Sequence, residues 1–260
     1  MKFATVDRTD EKSIIVKTKI IQKLEQAGWI YDEQDPQLVI CIGGDGTFLR
    51  AVHQYLTKLD TVWFVGVHTG TLGFLTDYLC NELDRFVLDL TQNEPKIEKS
   101  PMLKIILEYK DGSKKKVYAF NEIRIESSIR TLNLDVYIDN EYFEHTTGSG
   151  ICISTQAGST AVNRALQGAV IDSGLNVLQL CEILPISHLN HHTLRNPYIM
   201  KSDRKVLVES DSLECAFLYY DYLHEDLENV VRMNVSTSQK KVRFARYRTY
   251  SYLKRLNNLY

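Results

Sequence analysis

The stretch that most restricts the fold is Leu38-Val39-Ile40-Cys41-Ile42, followed at once by Gly43-Gly44-Asp45-Gly46-Thr47 and then Phe48-Leu49-Arg50-Ala51-Val52-His53. Five apolar residues in a row suit a strand buried on both faces, as in a parallel sheet, and Leu49, Val52 and Leu56 recur at helical spacing. The segment reads as strand, glycine turn, helix. Glycines at the C-terminal end of a strand let backbone N–H groups approach an anion at the positive end of the following helix, where open α/β sheets bind ligands. Asp45 is an odd residue for that task. A carboxylate repels bound phosphates unless a cation intervenes or the carboxylate has other work, such as accepting a proton. The plainer alternative is that Asp45 or Thr47 caps the helix, although three glycines exceed what a cap requires.

The flanking segments extend the same pattern. Phe3 to Val6 reads as a short strand, Asp10 or Ser13 can cap a helix carrying Ile14, Ile20, Ile21, Leu24 and Ala27, and Gly28 ends it. Thr61 to Val67 is another buried strand, and His68-Thr69-Gly70-Thr71-Leu72-Gly73-Phe74-Leu75 is a second glycine-bearing loop at a strand's end. A helix from about Asn81 to Thr91 follows. The order β-α-β-α-β predicts a Rossmann-like parallel sheet over residues 1–98.

From Glu94 to Pro101 the sequence changes style. Alternating segments separated by turn signals follow, with Asp111-Gly112 between Leu103–Leu107 and Lys116–Phe120 as the strongest hairpin signal. Further strands are expected at 123–126, 134–138, 141–144, 151–154, 205–209, 214–220, 230–235 and 241–246. Within this β-rich, sandwich-like domain (residues 99–248) only Thr160 to Val170 reads as helical. Residues 249–260 form a last helix-like segment expected to pack back on the first domain, and the active site is expected in the crevice between the two domains.

Composition excludes several classes. A net charge of −2 gives no global drive toward nucleic acid or an anionic membrane, and no apolar run approaches a membrane span. Cys41, Cys80, Cys152, Cys181 and Cys215 never form a C-x-x-C pair, the pattern of reduced thiols in a cytoplasmic protein. His188, His191 and His192 lack a companion carboxylate or thiol pattern for zinc and read as a solvated loop. The basic residues between Lys240 and Arg255 read as one solvated face.

Taken in order, several pieces carry a resemblance: Gly43 to Leu49; Gly66-Val67-His68-Thr69-Gly70 with Leu72-Gly73-Phe74; Asn121-Glu122; Ser154-Thr155; Gly158-Ser159-Thr160-Ala161 with Asn163; and Phe244-Ala245-Arg246-Tyr247-Arg248. Over nearly the full chain the sequence resembles the ATP- or polyphosphate-dependent NAD kinases, of the compact type found in Gram-positive bacteria. The resemblance implies transfer of a phosphoryl group to the 2′-hydroxyl of the adenosine ribose of NAD, with ATP and a divalent cation such as Mg²⁺, in a homodimer or homotetramer. It implies that Asp45 accepts the ribose proton and that Gly43, Gly44, Gly46 and Thr47 cradle phosphate. No protein side chain is expected to ligate the metal. NAD is expected to contact Asp45, Gly46, Leu72, Phe74, Asn121, Glu122, Ser149, Thr160, Ala161, Asn163 and Ala165. The chain departs from the family pattern at Thr147, Ser149, Val162, Ala165 and Gln167. Val162 stands where a tyrosine is usual, and base stacking on an aromatic ring is worth on the order of 1–3 kcal/mol, which Phe74 or Tyr222 could restore. Two alternatives stay open: a diacylglycerol- or sphingosine-type lipid kinase sharing the glycine turn, and a non-catalytic NAD(P)-binding paralogue.

Overall fold

The computed structural model describes residues 1–186, 193–211 and 213–258, so the histidines at 188, 191 and 192 lie outside the described residues. The chain divides into two compact units, one of residues 1–100 with 240–260 and the other of residues 101–239. Residues 240–248, expected in the β-rich domain, thus belong with the first unit.

In the first unit β1 (Lys2–Asp7), α1 (Glu11–Gln26), β2 (Ile30–Tyr31), β3 (Leu38–Ile42), α2 (Asp45–Gln54), β4 (Trp63–His68), β5 (Tyr78–Leu79) and α3 (Leu83–Gln92) follow in order. The strands pair in parallel as β2-β1-β3-β4, with Thr5 beside Ile40 and Ile40 beside Val65. Every residue of β3 is buried, the consequence of a strand covered on both faces. Asp10 caps α1 by accepting the N–H of Ser13 at 3.0 Å. Parallel pairing brings the C-terminal ends of β3 and β4 to the same edge, and so sets the turn after Ile42 beside the loop after His68.

The second unit is built from β6 (Lys96–Tyr109), β7 (Lys114–Ala119), β8 (Glu122–Glu126), β9 (Leu132–Ile138), β10 (Glu141–Gly148), β11 (Gly150–Thr155), α4 (Val162–Ala165), β12 (Val177–Ile183), β13 (Tyr198–Lys201), β14 (Val206–Glu209), β15 (Phe217–Tyr220), β16 (Leu223–Asp226) and the long β17 (Val230–Arg246). One antiparallel sheet runs β13-β12-β11-β8-β15-β16; β10, β9, β14 and the first half of β17, with β6 paired to β17 and β7 paired to β6, form the other. A single apolar core draws Ile125 and Ile153 from one sheet and Val136 and Val208 from the other, which is the sandwich the alternating strands predict. The two strands expected at 230–235 and 241–246 are one. The last element, α5 (Tyr252–Asn257), starts at Ser251, whose hydroxyl accepts the N–H of Lys254.

The helix expected from Thr160 to Val170 is corrected to a 3₁₀ turn (Ala157–Thr160) and the four residues of α4. The chain leaves helical geometry at Gln167, where φ is +60°. The N–H of Gly168 returns to the carbonyl of Asn163 at 2.9 Å, and Ala169 is held by the buried amide of Gln179 at 2.8 Å. Apolar spacing alone could not register that competing bond. Among the described residues no helix is long and apolar enough to cross a membrane.

Phe48 anchors α2 on the sheet. Its ring is fully buried, stacked on Phe244 with centroids 5.1 Å apart and tilted against Phe64 at 5.8 Å. Phe48→Ala is expected to cost about 3–5 kcal/mol, read from the urea denaturation midpoint of the purified protein.

Candidate active site

The glycine turn is set by its backbone. Gly43 has φ +152°, and a Cβ there would lie 2.3 Å from the Thr47 hydroxyl, so only glycine fits. Gly44 occupies the N-cap of α2 with extended φ and ψ, and it has no side chain with which to cap. No side chain therefore caps the first amides of α2, which lie at the positive end of the helix dipole, where an anion is favoured. Gly46 is exposed, whereas Thr47 is buried over Gly43.

Asp45 is no helix cap. Its carboxylate reaches across to the loop after β4, where Oδ2 accepts the N–H of Phe74 at 2.8 Å and Oδ1 that of Leu75 at 3.0 Å. Gly73 makes this approach possible, since a Cβ on it would stand 2.3 Å from Oδ1. The loop is tied down in turn. Tyr250 donates its hydroxyl to the carbonyl of Phe74 at 3.0 Å, the Phe74 ring packs on Tyr252 with centroids 5.6 Å apart, and Asn258 donates to the carbonyl of Leu72 at 3.5 Å.

Several residues at this turn were not singled out as site residues from sequence. His68 ends β4, and its Nδ1 accepts the N–H of Gly70 at 2.7 Å. Burial holds its pKa below the ordinary range, against the pull of the Asp45 charge, so the ring is neutral at pH 7 with its proton on Nε2. That Nε2 lies 3.2 Å from where a Gly44 Cβ would be. Arg8 also flanks the turn, its Cβ 3.2 Å from the corresponding point on Gly43. Asp77, only 2% exposed, pairs with Arg246 at 2.7 Å; burial nevertheless raises its pKa, with Arg246 opposing. The signal for His68 was present in its place at a strand's end beside glycines. Nothing in the spacing could announce Tyr250.

In the second unit Asn121 immediately precedes β8 and Glu122 begins it, and the segment is held from two sides. Asp221 accepts the N–H groups of Phe120 and Asn121 at 2.8 and 2.7 Å, while Thr155 donates its N–H to the carbonyl of Asn121 at 2.8 Å. Gly158 packs on the Asn121 carbonyl and brings Thr160 and Ala161 into the same neighbourhood. Glu122 is 3% exposed, and its Oε2 has no hydrogen-bond partner among the described residues. Burial, reinforced by the nearby Asp221 charge, pushes its pKa up to about 8. Other expected NAD contacts stand differently. Asn163 is fully buried, its Oδ1 accepting the thiol of Cys181 at 3.3 Å and its amide reaching the carbonyl of Ala169 at 3.5 Å, so it braces the loop. Ala165 is exposed at the end of α4. Ser149 precedes β11 and Glu122 pairs with Ser154 near its other end, about 17 Å away by strand rise. The structure does not bring Ser149 together with Asn121 and Glu122.

Among the described residues no group of three or more His, Cys, Asp or Glu is arranged to hold a metal ion.

Comparison with known proteins places these features in a family. The ATP-NAD kinase N-terminal domain matches residues 5–94 and the ATP-NAD kinase C-terminal domain matches residues 121–247. The chain is 35% identical to NAD kinase 1 of Bacillus cereus (strain ZK / E33L), covering 99% of this chain and 98% of that protein. It is 34% identical to the NAD kinase of Staphylococcus aureus (strain JH9), covering 99% and 97%. Among solved structures, yeast NADH kinase complexed with NADH superposes with a TM-score of 0.86 at 18% identity, covering 100% of this chain and 87% of that one. An NAD kinase from Archaeoglobus fulgidus in complex with ATP gives a TM-score of 0.78 at 21% identity, covering 100% and 97%.

A buried carboxyl with a raised pKa binds more protons folded than unfolded, so its contribution to stability falls as pH rises from the unfolded value of about 4.5 to the folded one of about 8. Glu122→Gln removes that penalty. Thermal melts are expected to show the variant gaining on the wild type between pH 5 and pH 8, with the larger difference at pH 8.

Proposed function

Because the chain belongs to the NAD kinase family, converting NAD to NADP, we propose that Asp45 is its general base and that ATP is the phosphoryl donor. The observation that carries this reading is the Asp45 carboxylate, held by two backbone N–H donors at the start of a helix whose N-cap, Gly44, offers no side-chain cap. The family match over both domains sets aside the lipid-kinase alternative, which shared only the glycine turn.

In the proposed step the ribose 2′-oxygen attacks the γ-phosphorus, the bond from that phosphorus to the β,γ-bridging oxygen breaks, ADP leaves and Asp45 takes the hydroxyl proton. Orientation of the base is the part the fold supplies most directly, because two amide bonds fix both carboxylate oxygens. The amides of Gly44, Asp45 and Gly46, with the Nε2–H of His68, are suited to the developing negative charge on the phosphoryl oxygens. A divalent cation, Mg²⁺ most simply, would ride on the nucleotide phosphates and offset their repulsion by Asp45. Asn121 and Glu122 are assigned to the ribose hydroxyls and adenine. With a pKa of about 8, Glu122 is largely protonated at neutral pH and can donate as well as accept. Leu72, Phe74, Thr160 and Ala161 complete the proposed NAD contacts, and Ser149 has no role near Glu122 within its own unit.

The reading extends to assembly and location. Tyr142, Tyr222 and Ile199 expose 59%, 49% and 45% of their surface, which supports a homodimer or homotetramer. Five free cysteines support a reducing, cytoplasmic setting.

Asp45→Asn keeps the shape and removes the base. NADP formation from NAD, ATP and Mg²⁺ is expected to fall by about 10² to 10⁴-fold, with NAD binding retained by calorimetry. Wild-type turnover in this variant would end the assignment, and wild-type protein that binds NAD without turnover would favour the non-catalytic alternative.

A further inference from the structure

We propose that Tyr250 is a positioning residue for phosphoryl transfer, acting on Asp45 through one peptide group. The proposal rests on the reading of Asp45 as proton acceptor given above. The Tyr250 hydroxyl donates to the carbonyl oxygen of Phe74 at 3.0 Å. That carbonyl belongs to the same planar peptide whose N–H, on Leu75, donates to Asp45 Oδ1 at 3.0 Å. A hydrogen bond received at one end of an amide polarises it and strengthens donation from the other end. Tyr250 therefore both fixes the plane of this peptide and strengthens its hold on the carboxylate. The second donor to Asp45, the N–H of Phe74, lies on the preceding peptide.

The hydroxyl is itself held firmly in place. The Tyr250 ring lies against two guanidinium groups, Arg246 at 4.2 Å and Arg255 at 5.4 Å from its centroid. Arg246 is anchored by Asp77 at 2.7 Å and Glu98 at 3.2 Å. Burial pushes the phenol pKa up to about 12, so the group is a proton donor throughout the neutral range. Through this residue the C-terminal segment, which the sequence offers only as packing, reaches the catalytic carboxylate.

Tyr250→Phe keeps the ring and its cationic neighbours and removes only the donor. Initial rates of NADP formation from NAD and ATP with Mg²⁺, taken together with a thermal melt, test the proposal. The kcat is expected to fall about three- to tenfold, the kinetic equivalent of one neutral hydrogen bond. KM for NAD and ATP should stay within about twofold and the melting temperature close to wild type. An unchanged kcat overturns the proposal, and so does a loss of rate that only tracks a loss of folded protein. Asp45→Asn is assayed alongside. If it turns over like the wild type, the reading of Asp45 fails and takes this proposal with it; if it is inactive while Tyr250→Phe is indistinguishable from wild type, the Tyr250 proposal alone fails.

Discussion

The seating of one carboxylate against two backbone amides organises the first unit. An ionised side chain drawn toward a protein interior loses hydration and must be compensated by donors in good geometry. Asp45 finds them in Phe74 and Leu75, some thirty residues along the chain. That contact requires β3 and β4 to end at the same edge, which parallel pairing ensures, and it requires a residue without a side chain at position 73. The buried Asp77–Arg246 pair then fixes the far side of the same loop. Such a pair adds little net stability once desolvation is counted, but removing either partner strands a buried charge.

The second unit solves the opposite problem. Glu122 sits where burial disfavours its charge, its Oε2 has no hydrogen-bond partner among the described residues, and the Asp221 charge opposes its ionisation. The result is two carboxyl groups with contrasting surroundings. One is held by backbone donors, and the other is pressed toward its neutral form by burial and a like charge. In the proposed function, environment and not residue type divides the labour between acceptor and donor.

Much of the first unit is legible in the sequence because its signals are local. The buried run at Leu38–Ile42, the capping Asp10 and the glycines after Ile42 each determine structure within a few residues. Legibility fails where polar residues are buried with distant partners. β12 escaped notice since Gln179 and Glu182 interrupt its apolar run, yet Gln179 is fully buried and bonded to Ala169. β17 reads as two strands because residues 236–241 are polar, although a ladder is made by the backbone and tolerates polar side chains on an open face. At the site, Asp45 and the glycines could be picked out from their turn alone. The partners of Asp45, the bracing role of Asn163 and the separation of Ser149 from Glu122 depend on register and tertiary contact, which spacing does not encode.

The way Asp45 is held also has a stereochemical consequence. An ionised carboxylate offers about four lone-pair directions, two on each oxygen. The amides of Phe74 and Leu75 occupy one on each. Among the described residues, one direction on each oxygen remains, and both are fixed relative to the axis of α2. In the proposed step, a hydroxyl presented from any other bearing would meet an oxygen whose lone pair is already engaged, so this seating would select the alcohol by the angle at which its proton arrives.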